Sequence, residues 1–212
     1  MHLSIDFWRT LAFSNPEYSK RRLDFLENKL DIEREMVKNT LTEIGRYADY
    51  YNSSGHITID AMYQMVFAML SQKSGSPSIM ENSLVKSIRS HIDDLFLEYP
   101  PLLNQELFRL IDLNAYKTFN LSSNTGYISG SLIKTFLNDS LTELKMDFHV
   151  FSDEIGFSKP QSHFFDFLKS QVNSKTITHL GDDFYADIYG ANASGLDALY
   201  YNNNKLIKFN PE

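Results

Sequence analysis

Two hydrophobic patterns divide the chain. Between residues 15 and 98, apolar residues recur at helical spacing in successive segments, such as Leu23, Leu26 and Leu30. After residue 99, short apolar runs instead alternate with helical segments, which is typical of parallel strands joined by helices. A similar apolar run stands at the start of the chain and stops at Asp6. We therefore expect Asp6 at the carboxyl end of a buried strand.

These patterns predict an α/β protein whose parallel sheet carries helices on both faces. Its elements follow in chain order after the first strand: strands at Lys117–Leu121, His149–Phe151, Thr176–Leu180 and Ala198–Tyr201, and helices at Ile128–Leu137 and His163–Val172. Residues 1–14 and 99–212 would form this core. Residues 15–98 would form an all-helical cap domain inserted after the first strand, where it can act as a lid over the sheet.

Composition and charge narrow the class of protein. The 212 residues are 42% hydrophobic, carry a net charge of −7 and include no cysteine, so we expect a folded chain without disulfides. Basic residues are scattered and no apolar run reaches about 20 residues, so neither nucleic acid nor a membrane is an expected partner. A strand acid at position 6 leaves no room for a signal peptide, and we expect a cytoplasmic protein.

Polar side chains follow two of the predicted strands at their carboxyl ends, where open α/β sheets bind ligands. The carboxylate of Asp6 could attack phosphorus and form an acyl phosphate. Ser123 and Asn124, in FNLSSNTG, could bind phosphate oxygens through a hydroxyl and backbone N–H groups. Taken alone, each of these positions is more often an ordinary helix cap or turn residue.

Two later stretches carry charge. Pro160 restricts the backbone of Lys159, whose ammonium could hold a nucleophile and a phosphoryl group together. Asp182, Asp183 and Asp187 follow the next predicted strand, and such clustered acids repel one another unless a cation lies among them. Carboxylate oxygens suit Mg²⁺. A capped helix start, with Asp183 and Asp187 facing solvent, is the structural alternative.

The stretches SIDFWRTL, LSSNTG, FSDEIGFSKPQSHFF and GDDFYADIYGANASG resemble, in this order, the four motifs of the haloacid dehalogenase (HAD) superfamily of aspartate-nucleophile phosphohydrolases. The resemblance implies a Rossmann-like core with a helical cap, a Mg²⁺ cofactor and a small phosphorylated substrate. It implies that Asp6 is the nucleophile and that the phosphate is bound by four residues, Thr10, Ser123, Asn124 and Lys159. It also implies that the metal is bound by Asp6, the Trp8 backbone carbonyl and Asp182. Asp187 would act on the metal through water, and Asp183 is a further candidate ligand.

Trp8 departs from the pattern of that superfamily. Its phosphatases usually have a second Asp two residues after the nucleophile, which protonates the leaving group, and an indole cannot do this. Loss of a positioned acid typically costs about 10² to 10⁴ in rate. Three functions therefore stay open: a Mg²⁺-dependent phosphohydrolase, a hydrolase of carbon–halogen bonds resembling the 2-haloacid dehalogenases, and a non-catalytic binding or regulatory protein. The acidic cluster around Asp182 favours the first.

Overall fold

The computed structural model describes residues 1–140 and 144–211. Its strands are β1 His2–Ile5, β2 Ala12–Phe13, β3 Leu102–Leu103, β4 Thr118–Ser123, β5 Phe148–Phe151, β6 Ile177–Gly181, β7 Asp197–Asn202 and β8 Lys205–Phe209. Six of them form one sheet in the order β5-β4-β1-β6-β7-β8, in which all neighbours are parallel except the antiparallel pair β7 and β8. The predicted α/β fold with a largely parallel sheet is confirmed.

The helices are α1 Pro16–Leu30, α2 Arg34–Tyr51, α3 Ile59–Ser74, α4 Asn82–Glu98, α5 Gln105–Leu110, α6 Gly130–Ser140, α7 Ser152–Ile155, α8 Ser162–Gln171 and α9 Gly190–Ala193. Helix α1 begins with Pro16, after Asn15 caps it by accepting a hydrogen bond from the Glu17 amide at 3.0 Å. Among the described residues, no helix is long and apolar enough to cross a membrane.

Strand β1 is central because it is buried on both faces. Leu3 and Ile5 are fully buried, and β1 pairs with β4 on one side and β6 on the other. Its other face carries the polar residues His2 and Ser4, which are equally buried and hydrogen-bond to side chains of β4. Its last residue, Ile5, stands opposite Leu121 of β4 and Leu180 of β6, so the residues that follow these strands emerge at one edge of the sheet.

The predicted last strand, Ala198–Tyr201, is not the last one. It lies within β7, and β8 returns antiparallel to it after Asn203 and Asn204. Both asparagines have positive φ, 47° and 57°. Asparagine tolerates this conformation better than most residues, and two such residues form the tight turn of a hairpin. This turn signal was present in the sequence, but β8 lies at the edge and has mostly exposed side chains, so its apolar pattern is weak.

Helices α1 to α4 lie between β2 and β3, and we call this segment the helical insertion. Strands β2 and β3 pair antiparallel through Ala12 and Leu103, so the two connections into the insertion run side by side. The insertion also contacts the rest of the chain where its helix α4 packs against α6, the helix that follows β4. Its division from the core at residues 15 and 98 stays a prediction, because the buried side chains of both parts form one continuous cluster.

The start of α6 requires glycine at position 130. A Cβ there would lie 2.5 Å from carbon atoms of the buried Phe151 ring. We expect Gly130→Ala to lower the free energy of unfolding by about 1–3 kcal/mol, as overpacking does. Gly45→Ala is the matched control, since nothing lies within 4 Å of its Cβ position in α2 and alanine favours a helix interior. Urea denaturation measures both, and equal effects would contradict the steric account.

Candidate active site

The parallel register of β1, β4 and β6 brings the separate motifs together. Asp6 follows β1, Ser123 ends β4, and Asp182 follows β6. The Asp6 amide donates to the Leu180 carbonyl at 2.8 Å, which continues the pairing of β1 with β6 one step past the strand. These residues line a cleft of about 380 Å³, which we call the acidic cleft.

Lys159 lies at the centre of the acidic cleft. Its Nζ is 2.6 Å from Asp6 Oδ1 and 2.5 Å from Asp187 Oδ1, and it also donates to the Ser122 carbonyl at 3.1 Å. Lys159, Asp6 and Asp187 are 2%, 6% and 1% exposed. One ammonium therefore serves two buried carboxylates, and the buried group of three carries a net negative charge when all are ionised.

This arrangement gives the two carboxylates different proton affinities. Burial raises the pKa of Asp6 to about 7; the Lys159 ammonium opposes this and the charge of Asp187 adds to it. Burial also acts to raise the pKa of Asp187, but Lys159 and a hydrogen bond from His179 outweigh it, and that pKa is lowered. Burial lowers the pKa of Lys159, yet the two carboxylates more than offset it, so the lysine remains an ammonium.

The side chain of Asn124 holds the Lys159 backbone in place. Asn124 Oδ1 accepts from the Lys159 amide at 2.7 Å, and its Nδ2 donates to the Lys159 carbonyl at 2.9 Å. Ser123 is buried beside it and lines the acidic cleft. The Asn124 side chain thus positions the lysine, whereas a phosphate contact by Asn124 or Ser123 stays a prediction.

Three of the predicted acids come together. Asp6, Asp182 and Asp187 each offer an oxygen, and these oxygens lie within 4.8 Å of one another. Asp182 accepts a hydrogen bond from Thr10 Oγ1 at 3.3 Å and pairs with Arg9 Nε at 2.9 Å. Burial raises the pKa of Asp182, which Arg9 opposes. Hard oxygen donors crowded at this spacing fit a divalent cation such as Mg²⁺.

Asp183 has a different place. Its Oδ1 accepts from the Tyr185 and Ala186 amides at 2.9 and 2.8 Å, so it caps the π-helical turn Phe184–Tyr189. It is exposed and does not belong to the group of three acids. The capped helix start considered as an alternative therefore describes Asp183, whereas Asp187 is buried and does not face solvent.

A buried histidine that the motifs did not single out supports Asp187. His179 Nε2 lies 3.1 Å from Asp187 Oδ1, and its Nδ1 lies 3.0 Å from the Ser4 hydroxyl, which is itself 2.9 Å from Ser122 Oγ. Burial lowers the pKa of His179, which favours the neutral ring. Because an ionised carboxylate can only accept, Nε2 carries the proton and donates to Asp187. Strand pairing places Ser4 opposite His179. Because the two residues lie far apart in the sequence, the sequence alone did not reveal this contact.

The helical insertion contributes to the same cleft. Asp49 and Asn52, both at the end of α2, line it together with Trp8. The indole of Trp8 packs edge-on against Phe7 and Phe96, with ring centroids 4.7 and 6.4 Å apart. The Trp8 side chain therefore packs between Phe7, which lies just after β1, and Phe96 of α4. Its carbonyl as a metal ligand stays a prediction.

Fold and site together define an α/β protein with a carboxylate–lysine–carboxylate centre at the carboxyl edge of a parallel sheet, beside a helical insertion. No family model matches the chain. A curated relative is YfnB of Bacillus subtilis (strain 168), assigned to the HAD-hydrolases, which is 30% identical over 110 residues, or 50% of this chain and 46% of the relative. The match thus spans about half the length of that protein.

Solved structures extend the similarity over nearly the whole chain. YfnB bound to magnesium has a TM-score of 0.73 at 20% identity and covers 98% of this chain and 91% of its own. A 2-haloacid dehalogenase from Pseudomonas syringae pv. tomato DC3000 gives 0.61 at 16% identity, covering 95% and 86%. A predicted phosphoglycolate phosphatase from Haemophilus somnus 129PT gives 0.62 at 15% identity, covering 92% and 82%. The predicted resemblance is confirmed at the level of the fold: the curated relative is a HAD-hydrolase, and the chain shares the fold of these solved structures.

Gly181 allows Asp187 to approach the end of β6. A Cβ at position 181 would lie 2.1 Å from Asp187 Cγ, so Gly181→Ala must displace the Asp187 carboxylate. We expect the free energy of unfolding to fall by about 1–3 kcal/mol, because the buried Lys159 loses one partner and the site is overpacked. Thermal melting measures this. Gly126→Ala, with nothing within 4 Å of its Cβ, is the control, and an unchanged melting temperature for Gly181→Ala would contradict the packing.

Proposed function

We propose that the protein is a Mg²⁺-dependent hydrolase of phosphate esters or anhydrides of a small metabolite, acting through an aspartyl-phosphate on Asp6. The observation that carries the proposal is the contact of Asp6 with the Lys159 ammonium at 2.6 Å, in the same cleft as Asp182 and Asp187. A carboxylate nucleophile beside a fixed cation and a group of oxygen ligands matches the needs of phosphoryl transfer.

The residues divide the work as follows. Asp6 Oδ1 is held by Lys159, which leaves Oδ2 to attack phosphorus; the new P–O bond forms while the bond to the leaving oxygen breaks. Lys159 would offset the charge on the phosphoryl oxygens, and the Ser123 hydroxyl, which belongs to a residue that lines the cleft, would donate to one of them. Asp6 and Asp182 would hold Mg²⁺, with Asp187 acting through water, and the ion when bound would neutralise further phosphoryl charge. Water then hydrolyses the acyl phosphate and frees Asp6.

The leaving group has to depart without help from position 8. Trp8 lines the cleft but has no proton to exchange at neutral pH, since an indole N–H is only a hydrogen-bond donor. Acyl phosphates and phosphoric anhydrides suit such a site, because their leaving groups are weak bases. Alkyl phosphates should react more slowly.

Trp8 also favours a second candidate function, the hydrolysis of carbon–halogen bonds. In that reaction the carboxylate of Asp6 would attack carbon, and the halide would leave without needing a proton. The group of three acids, Asp6, Asp182 and Asp187, favours phosphoryl transfer instead, because a halide displacement at carbon needs no such set of metal ligands. Chloride release from 2-chloroalkanoates separates the two functions.

The first test is phosphate release from acetyl phosphate with and without Mg²⁺. We expect metal-dependent turnover that falls to the uncatalysed level in Asp6→Asn, because the amide is not a nucleophile here. Asp166→Asn is the matched control, since Asp166 is exposed and, within the described part of the chain, pairs with Lys169 alone in α8. No phosphate release by the wild type under any metal condition would refute the proposal, and chloride release or neither activity would then point to the alternatives.

The second test adds the missing acid. We expect Trp8→Asp to hydrolyse alkyl phosphates at least about tenfold faster than Trp8→Asn, because only the aspartate can protonate the leaving oxygen. The two variants lose the same packing against Phe7 and Phe96, so their ratio isolates the proton transfer. Steady-state kinetics over a series of leaving groups measures it. Equal rates would show that position 8 does not face the leaving group.

A further inference from the structure

A second cavity, of about 310 Å³, adjoins the acidic cleft, and we call it the inner cavity. The two share four lining residues, namely Trp8, Asp49, Asn52 and Asn124. The inner cavity continues from this junction between α1, α2 and the loop after β4. A molecule with its phosphoryl group at Asp6 would therefore extend the rest of its structure toward α1.

Arg22 of α1 lines the inner cavity with its charge unmatched. Its guanidinium lies over the rings of Tyr18 and Tyr127, 5.4 and 5.6 Å from their centroids. Among residues 1–140 and 144–211, no carboxylate lies within ion-pair distance of it. By contrast, Arg34 and Arg89 each pair with an aspartate.

The protein encloses Arg22 Nε and the Tyr18 hydroxyl, which make no hydrogen bond to the described residues. Arg22 as a whole is only half-buried and lines the inner cavity. The terminal Nη groups of its guanidinium are therefore the donors that a bound acceptor can reach.

We propose that Arg22, held over the rings of Tyr18 and Tyr127, forms a subsite for a carboxylate of the substrate. Together with the proposed function, on which this inference rests, it makes the substrate a small phosphate ester or anhydride of a molecule that carries a carboxylate. The planar guanidinium matches a carboxylate in shape and offers several N–H groups. A single arginine balances a single negative charge, whereas a second phosphate dianion would carry excess charge near Asp49 and Asp93, the acids closest to this region.

Binding can be measured without turnover in the Asp6→Asn protein. The chain contains one tryptophan, Trp8, which lines both cavities, so its fluorescence reports occupancy, and calorimetry gives the affinity independently. The probes are 2-carboxyethyl phosphate and propyl phosphate, which match in length and differ in the carboxylate. We expect the carboxylated ester to bind about 10 to 100 times more tightly, as a charge-assisted contact predicts.

The variants assign that preference to the subsite. Arg22→Gln should remove it, and Tyr18→Phe, which keeps the ring under the guanidinium and removes only an enclosed hydroxyl, should leave it largely unchanged. Arg21→Gln is the matched control, because Arg21 is the exposed neighbour in α1 that pairs with Glu17. Equal binding of the two probes, or a preference that survives Arg22→Gln, would overturn the subsite. Tighter binding of propane-1,3-diyl bisphosphate would overturn the carboxylate in favour of a second phosphate.

Hydrolysis separates this inference from the proposed function. In wild-type protein with Mg²⁺, the ratio of kcat/KM for the two esters should follow the binding preference and act mainly through KM. If neither ester nor acetyl phosphate releases phosphate, the proposed hydrolase function fails, while the binding comparison still decides the subsite. If both esters are hydrolysed with equal kcat/KM, the hydrolase function stands and the subsite is wrong.

Discussion

The site depends on one buried ammonium between two carboxylates. Lys159 is 2% exposed and contacts both Asp6 and Asp187, so removing it would leave two negative charges together out of water. The surrounding structure fixes this lysine from both ends: Asn124 holds its backbone, and the Ser122 carbonyl accepts from its Nζ. A cation held this firmly can order a nucleophile and meet a phosphoryl group without moving.

The two carboxylates differ because their other partners differ. Asp187 also accepts from His179 and from the Asp183 amide, so its charge is stabilised and it serves as a fixed anion. Asp6 has Lys159 as its main partner and opens into the acidic cleft, which leaves one oxygen available to react. The buried polar side chains of Ser4 and His179 thus support the charge of Asp187, whereas Asp6 is the carboxylate that opens into the cleft.

The fold restricts the chemistry less than the cleft does, because one scaffold can serve many reactions. Structures named as a dehalogenase and as a phosphatase both share this fold, so overall similarity does not choose between carbon and phosphorus. The choice lies in particular side chains: the acids around Asp182 favour a cation, whereas Trp8 removes a proton shuttle. Arg22 bears on a separate question, namely which chemical group the substrate carries at the end away from its phosphate.

Local patterns in the sequence determined five strands of the main sheet, the helical character of residues 15–98 and the candidate residues Asp6, Lys159 and Asp182, because helical spacing, apolar runs and strand ends are properties of neighbouring residues. The short strands β2 and β3 and the edge strand β8 leave too weak a pattern to be found in this way. Tertiary structure decided which of the acids meet. Asp183 and Asp187 stand four residues apart, yet Asp183 is the exposed cap of the π-helical turn, whereas Asp187 lies within the turn and is buried against Lys159. His179 and Arg22 likewise acquired their significance only from strand register and helix packing, which place residues distant in sequence side by side.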